Sequence, residues 1–258
     1  MARRSVEGTC CICGAVGPLT FEHIPPEAAF NNVRILEADV EQLLAAQTLE
    51  ERRNPRTTQN QRGAGSYTLC ARCNSNTGAW YVPAYIRWAQ QGRRNTHPSP
   101  PYIFNRPFVI EPLPIAKQIM AMFASACGPS FFAGFSDLVR FVLNPSITGL
   151  SPEVRIFAYY VDPRSRASRQ SGITGNMNID TGVTYVYAEI AFQPFGYVLC
   201  VNSPPPHRGL LDISFMADAA PGEERTLTLP LPGLQVNSVL PADFRTEREI
   251  EQAYVAAV

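Results

Sequence analysis

The chain has 258 residues, of which 45% are hydrophobic and 17% are charged, and its formal net charge at pH 7 is zero. These values are typical of a globular protein that can bury a substantial core. No stretch of about 18 apolar residues is present, and no apolar run follows the basic N-terminus, so we expect neither a membrane span nor a signal peptide but a cytoplasmic protein.

We predict an α+β fold in two parts. Residues 1–98 contain two cysteine pairs and form the first module. Residues 99–113 are rich in proline and predict a linker. Residues 114–258 predict a second module with a mainly antiparallel sheet, because their strand-like runs follow one another through short turns.

In chain order, the first module begins with a tight turn at Cys10 and Cys13, where Gly14 can supply a positive φ angle, and continues into a strand. Residues 32–54 place apolar side chains mainly at intervals of three and four, which predicts an amphipathic helix inserted into this module. A polar loop follows over residues 54–66. Two further helices are predicted, one that opens at Cys70 and one over residues 84–92.

The second module is predicted to start with two helices, over residues 114–127 and 131–143. Runs rich in β-branched and aromatic residues then predict four strands, over residues 153–161, 182–192, 196–202 and 210–217. Residues 245–258 predict a closing helix.

Four of the seven cysteines form two Cys-x-x-Cys pairs, Cys10/Cys13 and Cys70/Cys73. In a chain without a secretory signal, such pairs are typical of metal ligands rather than disulfides. Four thiolates complete a tetrahedral site with no open position, so we expect a structural zinc. The alternative is four reduced core cysteines. Of the remaining three cysteines, Cys11 is expected to be a neighbour of the site, and Cys127 and Cys200 are expected to be plain core residues.

Positive charge is concentrated in the first part of the chain and is almost entirely arginine. Residues 1–110 contain 12 arginines and 8 acidic residues, a balance of +4, whereas residues 111–258 contain 9 arginines and one lysine against 14 acidic residues, a balance of −4. A guanidinium binds phosphates well, so a run without acidic residues predicts a nucleic-acid contact, the alternative being a solvated loop. That run contains Arg52, Arg53, Arg56, Arg62 and Arg72.

A lone histidine lies between the two cysteine pairs, in the stretch Glu22-His23-Ile24-Pro25. Together with Cys10-x-x-Cys13-Gly14 before it and Cys70-x-x-Cys73-Asn74 after it, this order resembles the treble-clef form of the HNH, or ββα-metal, endonucleases. The resemblance is closest to the branch with Glu-His-x-x-Pro and Cys-x-x-Cys-Asn motifs. It covers roughly residues 8–80.

The resemblance implies a role for each matching residue. His23 would be the general base that deprotonates a water for attack on a phosphodiester, and an imidazole has a pKa suited to this task. Glu22 and Asn74 would bind a catalytic divalent ion, Mg²⁺, Mn²⁺ or another, through hard oxygen ligands. Glu22 and His23 can meet at one phosphate only if their strand twists or ends there, because side chains alternate along a strand.

The resemblance also implies a nuclease that cuts DNA, with RNA as the weaker alternative, in a setting such as restriction or defence against phage. The second module would then recognise a target, a partner or a signal, or form a homodimer. One departure from the family is that residues 63–69 lack the asparagine that orients the histidine in many members, and Asn60 and Gln61 are the nearest amides.

Three other classes of protein are alternatives to compare with the nuclease. A treble-clef module that binds nucleic acid or protein without catalysis would leave Glu22 and His23 without a chemical role. Zinc deaminases need His-x-Glu and Pro-Cys-x-x-Cys, but here the order is Glu22-His23 and Leu69 precedes Cys70. Thioredoxin-like chemistry needs one reactive Cys-x-x-Cys in a βαβ setting rather than two pairs.

Overall fold

The protein is an α+β chain with mainly antiparallel sheets, as predicted. Its structure is a computed structural model that describes residues 6–38, 45, 56–95 and 103–255. The first region contains β1 (Val6–Thr9), β2 (Val16–His23), β3 (Ile35–Ala38), β4 (Thr57–Asn60), β5 (Gly65–Cys70), α1 (Ala71–Trp80) and α2 (Val82–Asn95).

The remainder begins with β6 (Ile103–Ile110) and three helices, α3 (Pro112–Cys127), α4 (Pro129–Ala133) and α5 (Ser136–Leu143). The strands that follow are β7 (Val154–Val161), β8 (Arg169–Gln170), β9 (Thr174–Met177), β10 (Thr184–Phe192), β11 (Phe195–Val201), β12 (Leu211–Asp212) and β13 (Arg225–Leu234). A 3₁₀ helix spans Ser214–Asp218, and α6 (Glu247–Val255) follows β13. None of the helices in the described part has the length and apolarity that crossing a membrane requires.

The first region is built on an antiparallel sheet of three strands in the order β1–β2–β5. The turn between β1 and β2 contains the first cysteine pair, and α1 begins directly after Cys70, the last residue of β5. A register shift opposite Thr20 and Phe21 leaves Thr68 of β5 without a partner in the ladder, as in a β-bulge. The sheet therefore brings both cysteine pairs to the same end.

The structure differs from the prediction of a helix over residues 32–54 at the start of that range, whereas Ala45 is helical as predicted. Ile35–Ala38 form β3, which pairs with Thr57–Asn60 of β4 inside the predicted polar loop. The apolar residues there fit a helical interval, but a partner strand satisfies their backbone groups, and propensity is a weak guide against such pairing. Residues 39–44 and 46–55, the rest of the predicted insertion apart from Ala45, lie outside the described residues.

The structure also differs from the prediction of a linker over residues 99–113, because this stretch contains β6. Strand β6 pairs with residues 225–232 of β13. It lies at the edge of the large sheet, whose strand order is β6–β13–β7–β11–β10–β8. An edge strand tolerates Pro107, since the missing N–H faces no partner strand. The Gln91 side chain of α2 bonds both the N–H and the C=O of Val109 on β6.

One hydrophobic core connects the two predicted modules. Trp88 of α2 is fully buried, stacks on Phe195 of β11 at 4.3 Å between ring centroids, and donates to the Tyr197 hydroxyl at 2.9 Å. The Tyr81 hydroxyl donates to the carbonyl of Val142 at 2.7 Å. The two parts therefore pack as continuous structure, and their separate folding stays a prediction for experiment.

Candidate metal centre and the adjacent polar site

The four paired cysteines converge at one end of the small sheet. Their Sγ atoms all lie within 4.8 Å of one another, and those of Cys13 and Cys70 are 3.9 Å apart. Four sulfurs at about 2.3 Å from a tetrahedral zinc would be separated by about 3.8 Å, so the spacing fits such an ion. The cluster could therefore hold a metal ion such as zinc. The other three cysteines lie outside it: Cys11, Cys127 and Cys200.

Backbone geometry explains how the first pair is held. Gly14 has a φ of +72°, which closes the turn, and its N–H donates to the carbonyl of Cys10 at 2.9 Å. This left-handed conformation favours glycine. The N–H of Cys11 donates to the carbonyl of Thr68 in β5, also at 2.9 Å, and so anchors the turn beside the second pair.

The thiols of this cluster interact strongly with one another. The contact between the two thiols lowers the pKa of Cys10 and raises the pKa of Cys73. A thiolate is the form of cysteine that binds metals. The sulfurs are thus arranged so that negative charge at this point is stabilised by its neighbours, as a divalent cation would stabilise it more fully.

Glu22 and His23 are the last two residues of β2. In the pairing with β5, Glu22 lies opposite Ser66 and His23 opposite Gly65. A Cβ at Gly65 would lie 2.1 Å from the carbonyl oxygen of Glu22, so only glycine allows this close approach. Gly65 thus lets β5 approach the backbone of Glu22 and of the half-buried His23 closely.

Asn74 is bound to the strand that carries Glu22 and His23. Its Nδ2 donates to the Thr20 hydroxyl at 2.9 Å and to the carbonyl of Phe21 at 3.2 Å. A carbonyl only accepts hydrogen bonds, so this contact fixes which end of the amide is nitrogen. Among the described residues Oδ1, the atom that could bind a cation, has no hydrogen-bond partner.

The Glu22 carboxyl group is nearly enclosed, with 7% of the residue exposed. Burial raises its pKa to about 7. Within the described residues it has neither a hydrogen bond nor an ion pair. A buried carboxylate without a cation is costly, so this group gains either from a proton or from a metal ion.

The two side chains at the end of β2 point to opposite faces of the sheet. The ring centroids of Phe21 and His23 lie 4.9 Å apart, as expected for residues two apart on one face. Thr20 contacts Asn74 of α1, so Glu22 alternates onto the helix side. The structure thus brings Asn74 to the strand of Glu22 and His23, and convergence of all three on one ion stays a prediction.

Asn31, which no motif in the sequence indicates, lies next to the candidate site. Its side chain is fully buried, and its amide donates to the carbonyls of Pro25 and Ala64, each at 2.7 Å. Its Oδ1 accepts from the N–H of Ala64, also at 2.7 Å. These bonds hold the turn after His23 against the start of β5. Asn60, the expected amide, instead bonds Arg62 and Glu37.

The predicted basic run is only partly within the described residues. Arg56, Arg62 and Arg72 are exposed, as phosphate contacts require, whereas Arg52 and Arg53 lie outside the described residues. The guanidinium of Arg62 lies 4.4 Å over the Phe21 ring and donates to the Tyr67 hydroxyl at 3.3 Å. Arg62 is therefore adjacent to the His23 face of the sheet.

No family model matches the chain, and no match is found among curated proteins or solved structures. The geometry of the cysteine cluster and of the strand beside it is what supports an assignment of function.

Proposed function

We propose that this protein is a metal-dependent HNH-type endonuclease that hydrolyses phosphodiester bonds of DNA. The observation that supports this most is the order of elements around the cysteine cluster. A cysteine turn leads into β2, which ends with Glu22-His23. The second cysteine pair lies at the start of α1, and Asn74, the residue after Cys73, donates a hydrogen bond to β2. In this proposal that order corresponds to the ββα arrangement of a treble-clef nuclease, and the four cysteines would hold a structural zinc.

In this proposal Glu22 and Asn74 would hold a divalent ion, Mg²⁺, Mn²⁺ or another, through a carboxylate oxygen and an amide oxygen. When bound, such an ion supplies stabilisation of the charge that develops on the phosphate. For Glu22 and His23 to reach one phosphate, both side chains would have to turn towards the end of β2, which lies at His23.

His23 would act as the general base. A ring nitrogen takes a proton from a water, the water oxygen bonds to phosphorus, and the bond from phosphorus to the leaving oxygen breaks. Neither ring nitrogen of His23 is hydrogen-bonded within the described residues, so the imidazole is available for this task. Asn31 would position it by holding the adjacent turn.

DNA as partner is supported by the charge of the first region. Its exposed arginines include Arg56, Arg62 and Arg72, and Arg62 lies over the Phe21 ring of the strand that carries the site. Phosphate contacts of this kind supply much of the affinity of proteins for nucleic acid, and the affinity then falls with salt.

A second candidate function is a zinc-stabilised module that binds nucleic acid or protein without cutting it. The placement of Glu22 and His23 on opposite faces favours this candidate, because a shared ion requires both to turn towards the end of the strand. It predicts tight binding without turnover.

Cleavage of supercoiled plasmid in Mg²⁺ or Mn²⁺ separates the two candidates. We expect the wild type to cut and His23→Ala to bind DNA but not cut. His207→Ala, a change of the same kind at an exposed histidine of another loop, should cut normally. Glu22→Ala and Asn74→Ala should be rescued in part by excess metal ion. A wild-type protein that cuts neither DNA nor RNA with any divalent ion would contradict the nuclease proposal.

A further inference from the structure

Four side chains form a connected patch on the face of the small sheet opposite α1. The ring of Phe21 lies perpendicular to those of His23 and Tyr67, with centroid distances of 4.9 and 5.5 Å. The guanidinium of Arg62 covers the Phe21 ring and bonds the Tyr67 hydroxyl. We call Phe21, His23, Arg62 and Tyr67 the aromatic patch.

The aromatic patch combines flat rings with an available positive charge. Tyr67 is 42% exposed although it is a large aromatic residue on a strand. Arg62 is exposed and has no carboxylate partner within the described residues. The nearest carboxylate along β2, that of Glu22, is nearly buried and alternates onto the other face.

This chemistry fits a nucleotide whose base is not paired. Aromatic side chains on a sheet stack on bases, and a neighbouring arginine binds the phosphate or adds a cation–π contact. The faces of bases inside a duplex are covered by their neighbours, so such a patch can be used only by a single strand or a displaced base. The charge of the Arg62 guanidinium, which no carboxylate of the described residues neutralises, favours nucleic acid over an apolar protein surface.

We propose that the aromatic patch binds an unpaired nucleotide next to the scissile phosphate, and that the substrate is single-stranded or locally unpaired nucleic acid. The inference deepens the proposed nuclease function and rests on it, since His23 belongs both to the patch and to the candidate site. Tyr67 would stack on the base, and Arg62 would contact the adjoining phosphate.

Binding without cleavage tests this proposal. Fluorescence anisotropy, in Ca²⁺ or without divalent ions, compares a labelled single-stranded 20-mer with the duplex of the same sequence. The wild type should prefer the single strand. Tyr67→Ala should weaken single-strand binding by about 5- to 150-fold, the range for loss of one stacked base, and change duplex binding by less than about twofold. Tyr67→Phe keeps the ring and should retain most of the affinity.

Phe215→Ala is the matched control, because Phe215 is an exposed aromatic residue on the 3₁₀ helix outside the patch, and it should bind like the wild type. Equal or tighter binding of the duplex, equal losses for both forms in Tyr67→Ala, or no oligonucleotide binding would each overturn the patch proposal. The nuclease proposal fails separately, if His23→Ala cuts plasmid as the wild type does. Cleavage of intact duplex with no preference for single strands would support the nuclease proposal and contradict the patch proposal.

Discussion

Strand β2, which carries the candidate site, buries few of its residues, whereas helix α3 at the centre of the protein buries most of its own. β2 buries one of its 8 residues, and that residue is Glu22. α3 buries 13 of its 16 residues, most of them apolar. Burial of apolar surface contributes most of the stabilisation in a folded core, so α3 is held by packing. β2 must instead be held by its ladder, by the bonds of Asn31 and Asn74, and by the cysteine cluster.

The comparison shows that a strand with little buried surface can be held in place by the elements around it. The cysteine cluster fixes one end of β2, and the continuous core under α2 and α3 supports the other elements of the region. The predictions below test this difference, and they are ordered from the largest expected effect to the smallest.

Removal of the metal should have the largest effect. Cys70→Ser should lose about one zinc per chain by elemental analysis, together with the order of the small sheet, because a structural zinc binds with about 10–16 kcal/mol. Cys127→Ser, the same change outside the cluster, should keep the zinc. A wild-type protein that carries no metal and melts normally would show that the four cysteines are plain core residues.

Truncation of Trp88 tests whether the two regions share one core. Trp88→Ala should cost about 3–5 kcal/mol of unfolding free energy, the range for a buried aromatic residue, and shift one common urea transition. Trp80→Ala, on α1 with the residue 38% exposed, should cost much less. Two separate transitions, of which only one moves, would restore the predicted division near residues 98 and 114.

Elements that are determined by a short stretch of sequence could be predicted from the sequence patterns. The two cysteine pairs predicted the cluster that could hold a metal ion, and the β-branched runs predicted β7, β10 and β11. Strand β6 was not predicted because Pro107 and the prolines on either side of the strand are typical of loops, and only the position at a sheet edge makes Pro107 acceptable. β3 was hidden because its few apolar residues fit a helix as well as a strand until β4 is known as a partner.

The residues of the candidate site could be predicted from the sequence, but the face of the sheet on which each side chain lies could not. Glu22, His23 and Asn74 follow from their motifs, whereas the placement of Glu22 on the helix side depends on the bond between Asn74 and Thr20. Asn31 carries no motif, since its role arises from a contact with Ala64, 33 positions along the chain. A buried side chain that bonds distant backbone groups leaves no pattern in a single sequence.

The burial of Glu22 predicts a pH dependence of stability. Its pKa is about 7 in the folded chain against a usual value of 4.5, so the folded state holds the proton more tightly. The associated stability is fully present below pH 4.5 and is lost as the pH rises through 7, a difference of about 3 kcal/mol. Glu22→Gln should therefore exceed the wild type in stability at pH 8 and differ little at pH 4.5.

Urea denaturation at the two pH values measures this effect, with the exposed Glu27→Gln as the control. Added Mn²⁺ should stabilise the wild type at pH 8 but not Glu22→Gln, if Glu22 binds the catalytic ion. Equal stabilities of Glu22→Gln and the wild type at both pH values would mean that the carboxyl group is solvated rather than enclosed.

Asn31→Ala should have a smaller effect on stability and a specific one on the site. It leaves the carbonyls of Pro25 and Ala64 and one N–H without their partner, which costs about 1–3 kcal/mol. Cleavage should fall more than substrate binding does, because the turn after His23 is loosened. Asn32→Ala, an exposed neighbour, should match the wild type in both assays, and an equal loss in the two variants would rule out a positioning role.

The general base is the central claim, and chemical rescue tests it most directly. His23→Gly should cut DNA about 10²–10⁴-fold more slowly than the wild type while it keeps its zinc and binds DNA. Free imidazole should restore part of the lost rate, because it can enter the space left by the ring and accept the proton from water. A zinc-loaded His23→Gly that cuts at the wild-type rate, or that imidazole leaves inactive, would contradict the account.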